Sequence, residues 1–316
     1  MEKLSLFILI NYLLLFGAGI LWGSQYFFTK LALESFSAPA IAVGRISIGA
    51  IVLTILLATG VKTSACSNRQ QRSFWSCFPD FILIGLLEGT IPCVFVGWAQ
   101  REIASSVTAI LIGSVPLFTI LLEALFMKEN RLTAKKVAGV ILGFFGIVVL
   151  LRVGLDIMSS SSAEGHFMLV PVLAVLTSAL CFAISMLLIK VRLGSSLAPI
   201  RSTQGILLGA LVTLLPLSFW LTKPWMITSF HCSFSALMGV VLLGIFCSGS
   251  AYTLFVILIN RAGPTVASMT NYLVPPIGAF IGITFSGEKL TTSLIYSLLL
   301  ILFALWLASS QQKEKA

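Results

Sequence analysis

Charge is scarce in this chain: Asp, Glu, Lys and Arg make up only 10% of its 316 residues. A soluble domain of ordinary composition carries about 25%, so a water-facing globular surface is excluded. Histidine is scarcer still. The two present, His166 and His231, lie between apolar runs, and no HExxH or paired-acid motif accompanies them, so no enzyme is expected here. Of the six cysteines, Cys93, Cys181 and Cys247 fall inside apolar segments, while Cys66, Cys77 and Cys232 lack metal-ligand spacing. They read as packing residues, and neither metal nor other cofactor is expected. The formal charge of +9 is scattered between apolar segments instead of forming one basic face, which argues against a nucleic-acid partner.

Apolar residues fill the space left, at 58% of the chain with a mean hydropathy of +1.05. Runs of ~20 residues, enough to cross hydrocarbon, follow one another almost without pause, so the lipid bilayer is the expected solvent. The first run, from about Leu6, is too long for a signal-peptide core and ends at Gln25-Tyr26 without a small-residue cleavage site. It is expected to remain as a helix.

Charge, Pro and Gly bound ten such runs, near 5–29, 39–59, 80–99, 104–127, 135–152, 167–190, 200–221, 235–259, 264–286 and 292–309. Only 60–79 and 153–166 are appreciable loops. With the N-terminus placed inside, Lys30, Arg101, Arg152, Lys223 and Lys289 fall on the outer side, Arg45 lies within the second helix, and the other fourteen of the 20 Lys and Arg fall inside. Cytoplasmic loops retain positive residues, so both termini are expected in the cytoplasm, in a bacterial inner membrane.

Sliding the chain on itself exposes a repeat. A shift of 160 places Lys30 on Lys190, Pro39 on Pro199 and Gly49 on Gly209; a shift of 159 places Gly85 on Gly244, Val107 on Val266, Pro116 on Pro275 and Glu129 on Glu288. Pro and Glu stand 13 residues apart in both halves. Five helices per half is an odd number, so the second half must enter the membrane from the opposite side, the inverted arrangement of many secondary transporters. The expected fold is therefore an all-α membrane protein of ten transmembrane helices in two inverted five-helix repeats: residues 1–152, an outer linker at 153–166, and residues 167–316.

The repeat resembles the EamA family of the drug/metabolite transporter superfamily over nearly the whole chain. The resemblance rests on Leu21-Trp22-Gly23-Ser24-Gln25 with Lys30, on Ala109 to Pro116 followed by Lys128-Glu129, and on Ser268 to Pro275-Pro276 followed by Gly287-Glu288-Lys289-Leu290. The second half departs from the pattern, with Cys181-Phe182-Ala183 in place of Trp-Gly and Gly205 opposite Arg45. The resemblance implies a carrier without ATP hydrolysis, and family members move amino acids, nucleotide derivatives including S-adenosylmethionine, and assorted amphiphiles.

Two charges lie deep in apolar runs. Glu88 sits about seven residues past Phe81, ~10 Å deep at 1.5 Å per residue. A charge at a helix centre costs ~3 kcal/mol on insertion scales. It reads as a proton-coupling acid or a counter-ion for a cationic substrate, against a structural acid tied to hydroxyls such as Thr90. Arg45, six residues in from Pro39, could hold a substrate carboxylate, reach Glu88, or snorkel to the interface. If both line one cavity they form a clamp for a zwitterion.

Trp22, Gln25, Tyr26 and Trp98 are expected toward the outside, and Asn11, Tyr252, Asn271 and Tyr272 toward the inside, as two rims of a substrate cavity. The interfacial aromatic belt explains Trp98 and Tyr252 equally well. Glu123, Glu129 and Glu288 read as structural acids near helix ends. Gly139-x-x-x-Gly143 and Gly278-x-x-x-Gly282 allow close helix contact, expected within the molecule and not at a dimer seam, so monomer and homodimer stay open. The expected substrate is a small zwitterionic or cationic metabolite, from free amino acids to S-adenosylmethionine exchanged for S-adenosylhomocysteine. The alternative is broad export of hydrophobic cations. No ring of polar residues or carbonyl filter suggests a channel.

Overall fold

A computed structural model describes residues 2–60, 72–126, 169–194, 196–222 and 233–286, with scattered positions in 138–145 and 295–303. It is all-helical among those residues. Helix α1 spans Glu2–Ala32. Seven further helices are long and apolar enough to cross a bilayer: α2 (Ala38–Ala58), α3 (Trp75–Ala99), α4 (Val107–Phe126), α5 (Leu169–Leu193), α6 (Pro199–Leu221), α7 (Phe234–Ala262) and α8 (Pro264–Phe285). Large apolar side chains such as Leu13, Ile51, Leu173 and Phe219 are exposed on their outer faces, as suits a lipid-facing surface. The chain is a multi-pass membrane protein. The expected helices near 135–152 and 292–309 lie almost entirely outside the described residues, as do Glu129, Glu288, Gly139 and the linker 153–166.

Local chemistry sets the helix ends. Ser37 caps α2 by accepting from the Ala40 N–H at 3.4 Å, with Pro39 in the first turn where its missing N–H costs nothing. Gly263, at φ +89°, ends α7 in a backbone conformation that side chains disfavour, and Pro264 starts α8 at once. Helix α3 begins earlier than the run from residue 80 suggests, with a tight turn over Trp75–Cys77. Asp80 does not end it, because Arg72 and Arg192 neutralise that carboxylate.

The repeated prolines interrupt their helices at matching places. In α4 regular winding stops at Gly113–Ser114, ahead of Pro116. In α8 a tighter turn over Met269–Tyr272 precedes Pro275. Proline lacks a donor and crowds the carbonyl four residues back. The Ser114 hydroxyl, donating to the Leu111 carbonyl at 2.6 Å, meets part of that local demand within the membrane.

The helices pack in matched pairs: α1 on α7 and α8, α5 on α3 and α4, α2 on α6 and α7, and α6 on α2 and α3. Two crossings are especially close. A Cβ on Gly49 would lie 3.0 Å from Ser248 Cβ and 3.1 Å from the Gly244 carbonyl, and one on Gly85 or Gly209 would overlap the backbone of the other's helix. The 160- and 159-residue shifts, which place Gly49 on Gly209 and Gly85 on Gly244, carry one of these glycine pairs, Gly49 and Gly244, onto the other, Gly209 and Gly85. The repeat spacing therefore falls where α2 meets α7 and where α6 meets α3.

Candidate functional site

The two close crossings draw α1, α2, α3, α5, α7 and α8 around a polar centre. Helix α3 leaves regular α winding for a wider π-type turn over Leu86–Thr90, and α7 does the same over Leu243–Ser250. Such turns re-aim side chains and often occur at functional sites. Here they present Glu88 and Ser248.

Arg45 is 7% exposed. Its Nε donates to Ser248 Oγ at 2.9 Å and its Nη2 to Gln25 Oε1 at 3.2 Å. No carboxylate among the described residues faces it. A guanidinium carries five N–H donors in a planar fork, so two bonds leave it part-filled. Snorkelling is ruled out for this conformation by the burial, and so is reaching Glu88, because the two charges bond different partners.

Glu88 is 1% exposed. Its Oε2 accepts the Ser185 hydroxyl, and its Oε1 is buried without a partner among the described residues. The Glu88 backbone carbonyl accepts the Tyr252 hydroxyl at 2.9 Å. Thr90, the expected hydroxyl neighbour, turns away to the Ala210 carbonyl and the Thr213 hydroxyl.

Aromatic packing fixes the space between the two charges. Trp22 donates from Nε1 to the Cys247 carbonyl at 3.2 Å and stands edge-on to Tyr252 and Phe255, with ring centroids 5.4 and 4.6 Å away. Trp22 and Tyr252, expected on opposite rims, are thus neighbours at one depth. Both helices meet here because α1 packs along α7.

Two small adjoining cavities of about 20 Å³ each lie at this centre. Gln25, Phe182 and Tyr252 line both; Arg45, Tyr26 and Cys93 line the first, and Glu88, Trp22, Met186 and Asn271 the second. Each has room for about one water, so the site is closed. Seven of the nine candidate residues converge on it: Trp22, Gln25, Tyr26, Arg45, Glu88, Tyr252 and Asn271.

Two candidates lie elsewhere. Trp98 is exposed and lines a separate groove of about 560 Å³ with Ser37, Phe95, Arg101 and Leu173, because its side of α3 faces away from the centre. Tyr272 packs half-buried against the apolar core and lines neither cavity. Asn11 accepts from Arg261 Nε at 3.0 Å in an exposed pair. Glu123, read as an acid near water, is 3% exposed and accepts the Thr265 hydroxyl, since α4 lies against the start of α8.

Sequence reasoning did not single out Ser185 or Ser248, and it took Phe182 and Cys93 as packing or lost motif. The repeat held a signal for two of them. Phe182 stands 160 residues after Trp22, and Ser185 stands 160 after Gln25, so each occupies the second half's version of a cavity position.

Comparison with known proteins follows from this geometry. The model of the EamA-like transporter family matches residues 9–152 and again 169–310. An uncharacterized transporter of Archaeoglobus fulgidus is 23% identical over 286 residues, covering 90% of this chain and 94% of its own. The uncharacterized inner membrane transporter YedA of Escherichia coli K12 is 25% identical over 313 residues, covering 93% and 89%. A probable terminal-alkyne amino-acid exporter of Streptantibioticus cattleyicolor is 23% identical over 271 residues, covering 85% and 83%. A solved crystal structure with 20% identity superposes with a TM-score of 0.66, covering 96% of this chain and 98% of that one, which establishes a shared fold.

Proposed function

Since this chain belongs to the EamA-like transporter family, we propose that it is a secondary carrier for small zwitterions bearing an α-amino-acid head group, working by alternating access. One observation carries this reading. Arg45 and Glu88 are opposite charges, each without an ionic partner among the described residues, lining adjoining cavities that share Gln25, Phe182 and Tyr252. A zwitterion supplies both missing counter-charges at once.

In this reading the Arg45 fork takes the substrate carboxylate through its part-filled donors, where planar pairing suits a carboxylate. Glu88 Oε1 takes the ammonium. Trp22 and Tyr252 wall the space between and present aromatic surface to the cationic end, an interaction of ~2 kcal/mol when desolvated. Gln25 and Ser185 hold the two charged groups in place while the site is empty. The same head group occurs on S-adenosylmethionine and S-adenosylhomocysteine, so their exchange falls within this substrate class. The relative named as a probable terminal-alkyne amino-acid exporter agrees with an amino-acid head group. Export of hydrophobic cations is the weaker reading, because the buried Arg45 charge beside the cavity repels a substrate that brings no anion.

The matched glycine crossings and the doubled family match support two inverted repeats, residues 1–152 and 167–316 joined by 153–166, each with five helices. The Lys and Arg distribution supports an orientation with both termini in the cytoplasm. Closed cavities of about 20 Å³ fit an occluded intermediate that opens to either face.

The test is uptake of labelled amino acids and S-adenosylmethionine into cells expressing the chain, with unlabelled competitors and a proton uncoupler. Saturable uptake of head-group-bearing substrates, strongly reduced by Arg45→Ala, is the expected result. Normal uptake by Arg45→Ala removes the clamp, and dye efflux without any zwitterion uptake transfers the case to hydrophobic cations.

A further inference from the structure

Away from the central site, a second charged cluster joins two of its helices at one end. Asp80, in the first turns of α3, has a side chain only 10% exposed, and both of its carboxylate oxygens are taken. Oδ2 accepts from Arg72 Nη1 at 3.2 Å and Oδ1 from Arg192 Nη1 at 2.9 Å. Arg72 also donates to the carbonyls of Arg192 at 3.0 Å and Ser76 at 3.1 Å. The cluster thus ties the segment before α3 and the first turns of α3 to the end of α5. Arg192 is carried there by a wider final turn, Ile189–Leu193, which Gly194 closes at φ +48°.

The same two helices carry the Glu88 end of the site. Glu88 follows Asp80 by two turns of α3, and Ser185 precedes Arg192 by two turns of α5, each ~10–12 Å along the axis. Parting α3 from α5 at this end must break both the charged cluster and the Ser185–Glu88 bond. The helix pair that the repeat spacing sets against them, α1 and α7, is joined at the opposite end of the molecule by different chemistry. There the Ser235 hydroxyl donates to Glu34 at 3.0 Å and the Ser233 N–H to the Ser35 hydroxyl at 3.0 Å. One end is joined by two guanidinium groups on one part-buried carboxylate, and the other by serine donors, one of them on the Glu34 carboxylate. Charge-assisted bonds are about twice as strong as neutral ones, and both carboxylate oxygens of Asp80 accept them.

We propose that Arg72, Asp80 and Arg192 form the gate that closes this end of the carrier, so that breaking the cluster opens the central site from this end. The inference rests on the alternating-access reading given above. Neutralising Asp80 leaves Arg72 and Arg192 facing each other without their shared counter-charge, so the gate is replaced by repulsion. A ligand can shift a two-state equilibrium only by its differential affinity for the states, and the gate sets the bias against which substrate works.

The experiment reads the cavity directly, without transport. Cys93 lines the Arg45 cavity, so a chain with the other five cysteines replaced by Ala is labelled with a membrane-impermeant maleimide in right-side-out and inside-out vesicles. Asp80→Asn should raise labelling from the Asp80 end by roughly tenfold, the population change of a ~1.4 kcal/mol shift, Arg192→Gln should move it in the same direction, and Arg192→Lys should stay near the parent. Should Asp80→Asn fail to fold, Arg192→Gln alone decides. Labelling that responds to added amino acid but not to Asp80→Asn or Arg192→Gln overturns the gate and leaves the carrier intact. No labelling from either side in any variant, with or without amino acid, overturns the carrier reading and the gate together.

Discussion

The Ser185 hydroxyl donates to Glu88 Oε2 and leaves Oε1 buried without a partner among the described residues. Gln25, the residue 160 positions before Ser185, plays the corresponding part for Arg45, accepting from Nη2 at 3.2 Å. Each half of the chain thus supplies a short polar side chain that holds a charge without neutralising it. In a membrane interior that arrangement is costly, and a zwitterionic ligand of the kind proposed would offset the cost.

Arg45→Ala should reduce uptake of zwitterionic substrates by roughly 10- to 100-fold, because a hydrogen bond to a charged group contributes about 1.5–3 kcal/mol. Arg45→Lys should recover only part, since an ammonium cannot present the planar fork. Competition with analogues lacking the carboxylate checks the assignment: their uptake should be indifferent to both substitutions.

Glu88→Gln should lower uptake of the same substrates by roughly 10-fold or more without lowering the thermal midpoint in detergent, because the amide fills the same volume and can keep the Ser185 contact. A steep loss of thermal stability instead would assign Glu88 to the fold. Uncoupler sensitivity of the residual uptake adds a second readout. If Glu88 carries proton coupling, that sensitivity should disappear in the variant.

Trp22→Ala should raise KM, by roughly 10- to 30-fold if its ring contacts the cationic end at ~2 kcal/mol. Trp98→Ala should leave KM near the parent value, since Trp98 lines the separate groove and neither central cavity. Equal effects from the two substitutions would contradict this division.

Gly209→Ala and Gly85→Ala should each destabilise the protein by about 1–3 kcal/mol, the usual cost of overpacking, because an added methyl meets the backbone of the crossing helix at either position. Intrinsic tryptophan fluorescence during heating in detergent measures this. An unchanged midpoint for both would show that the α3–α6 crossing relaxes freely.

Much of the fold was legible because the signals are local. The runs near 39–59, 200–221 and 264–286 agree with α2, α6 and α8 to within a residue or two, since hydrocarbon thickness sets run length and Pro or Gly marks the ends. The start of α3 was less legible. Asp80 looks like a boundary when its immediate neighbours in sequence are apolar, and the pairing with Arg72 and the distant Arg192 explains why the helix runs through it. Glu123 misled for the same reason, since the donor that accompanies its burial, Thr265, lies 142 residues away.

By itself the sequence determined the solvent, the helical class, the repeat spacing and the two deep charges, because each follows from composition or from intervals along the chain. It also supplied the glycines that the repeat superposes. Only the tertiary structure decided what those features meet. That Arg45 bonds Ser248, that Glu88 bonds Ser185, and that Trp22 lies edge-on to Tyr252 depend on how helices rotate and cross. A serine in an apolar helix looks the same from the sequence whether it faces lipid or a charge. Helix packing brings residues 97 and 203 positions apart into hydrogen-bond contact, and no interval along a single strand of text encodes that rotation.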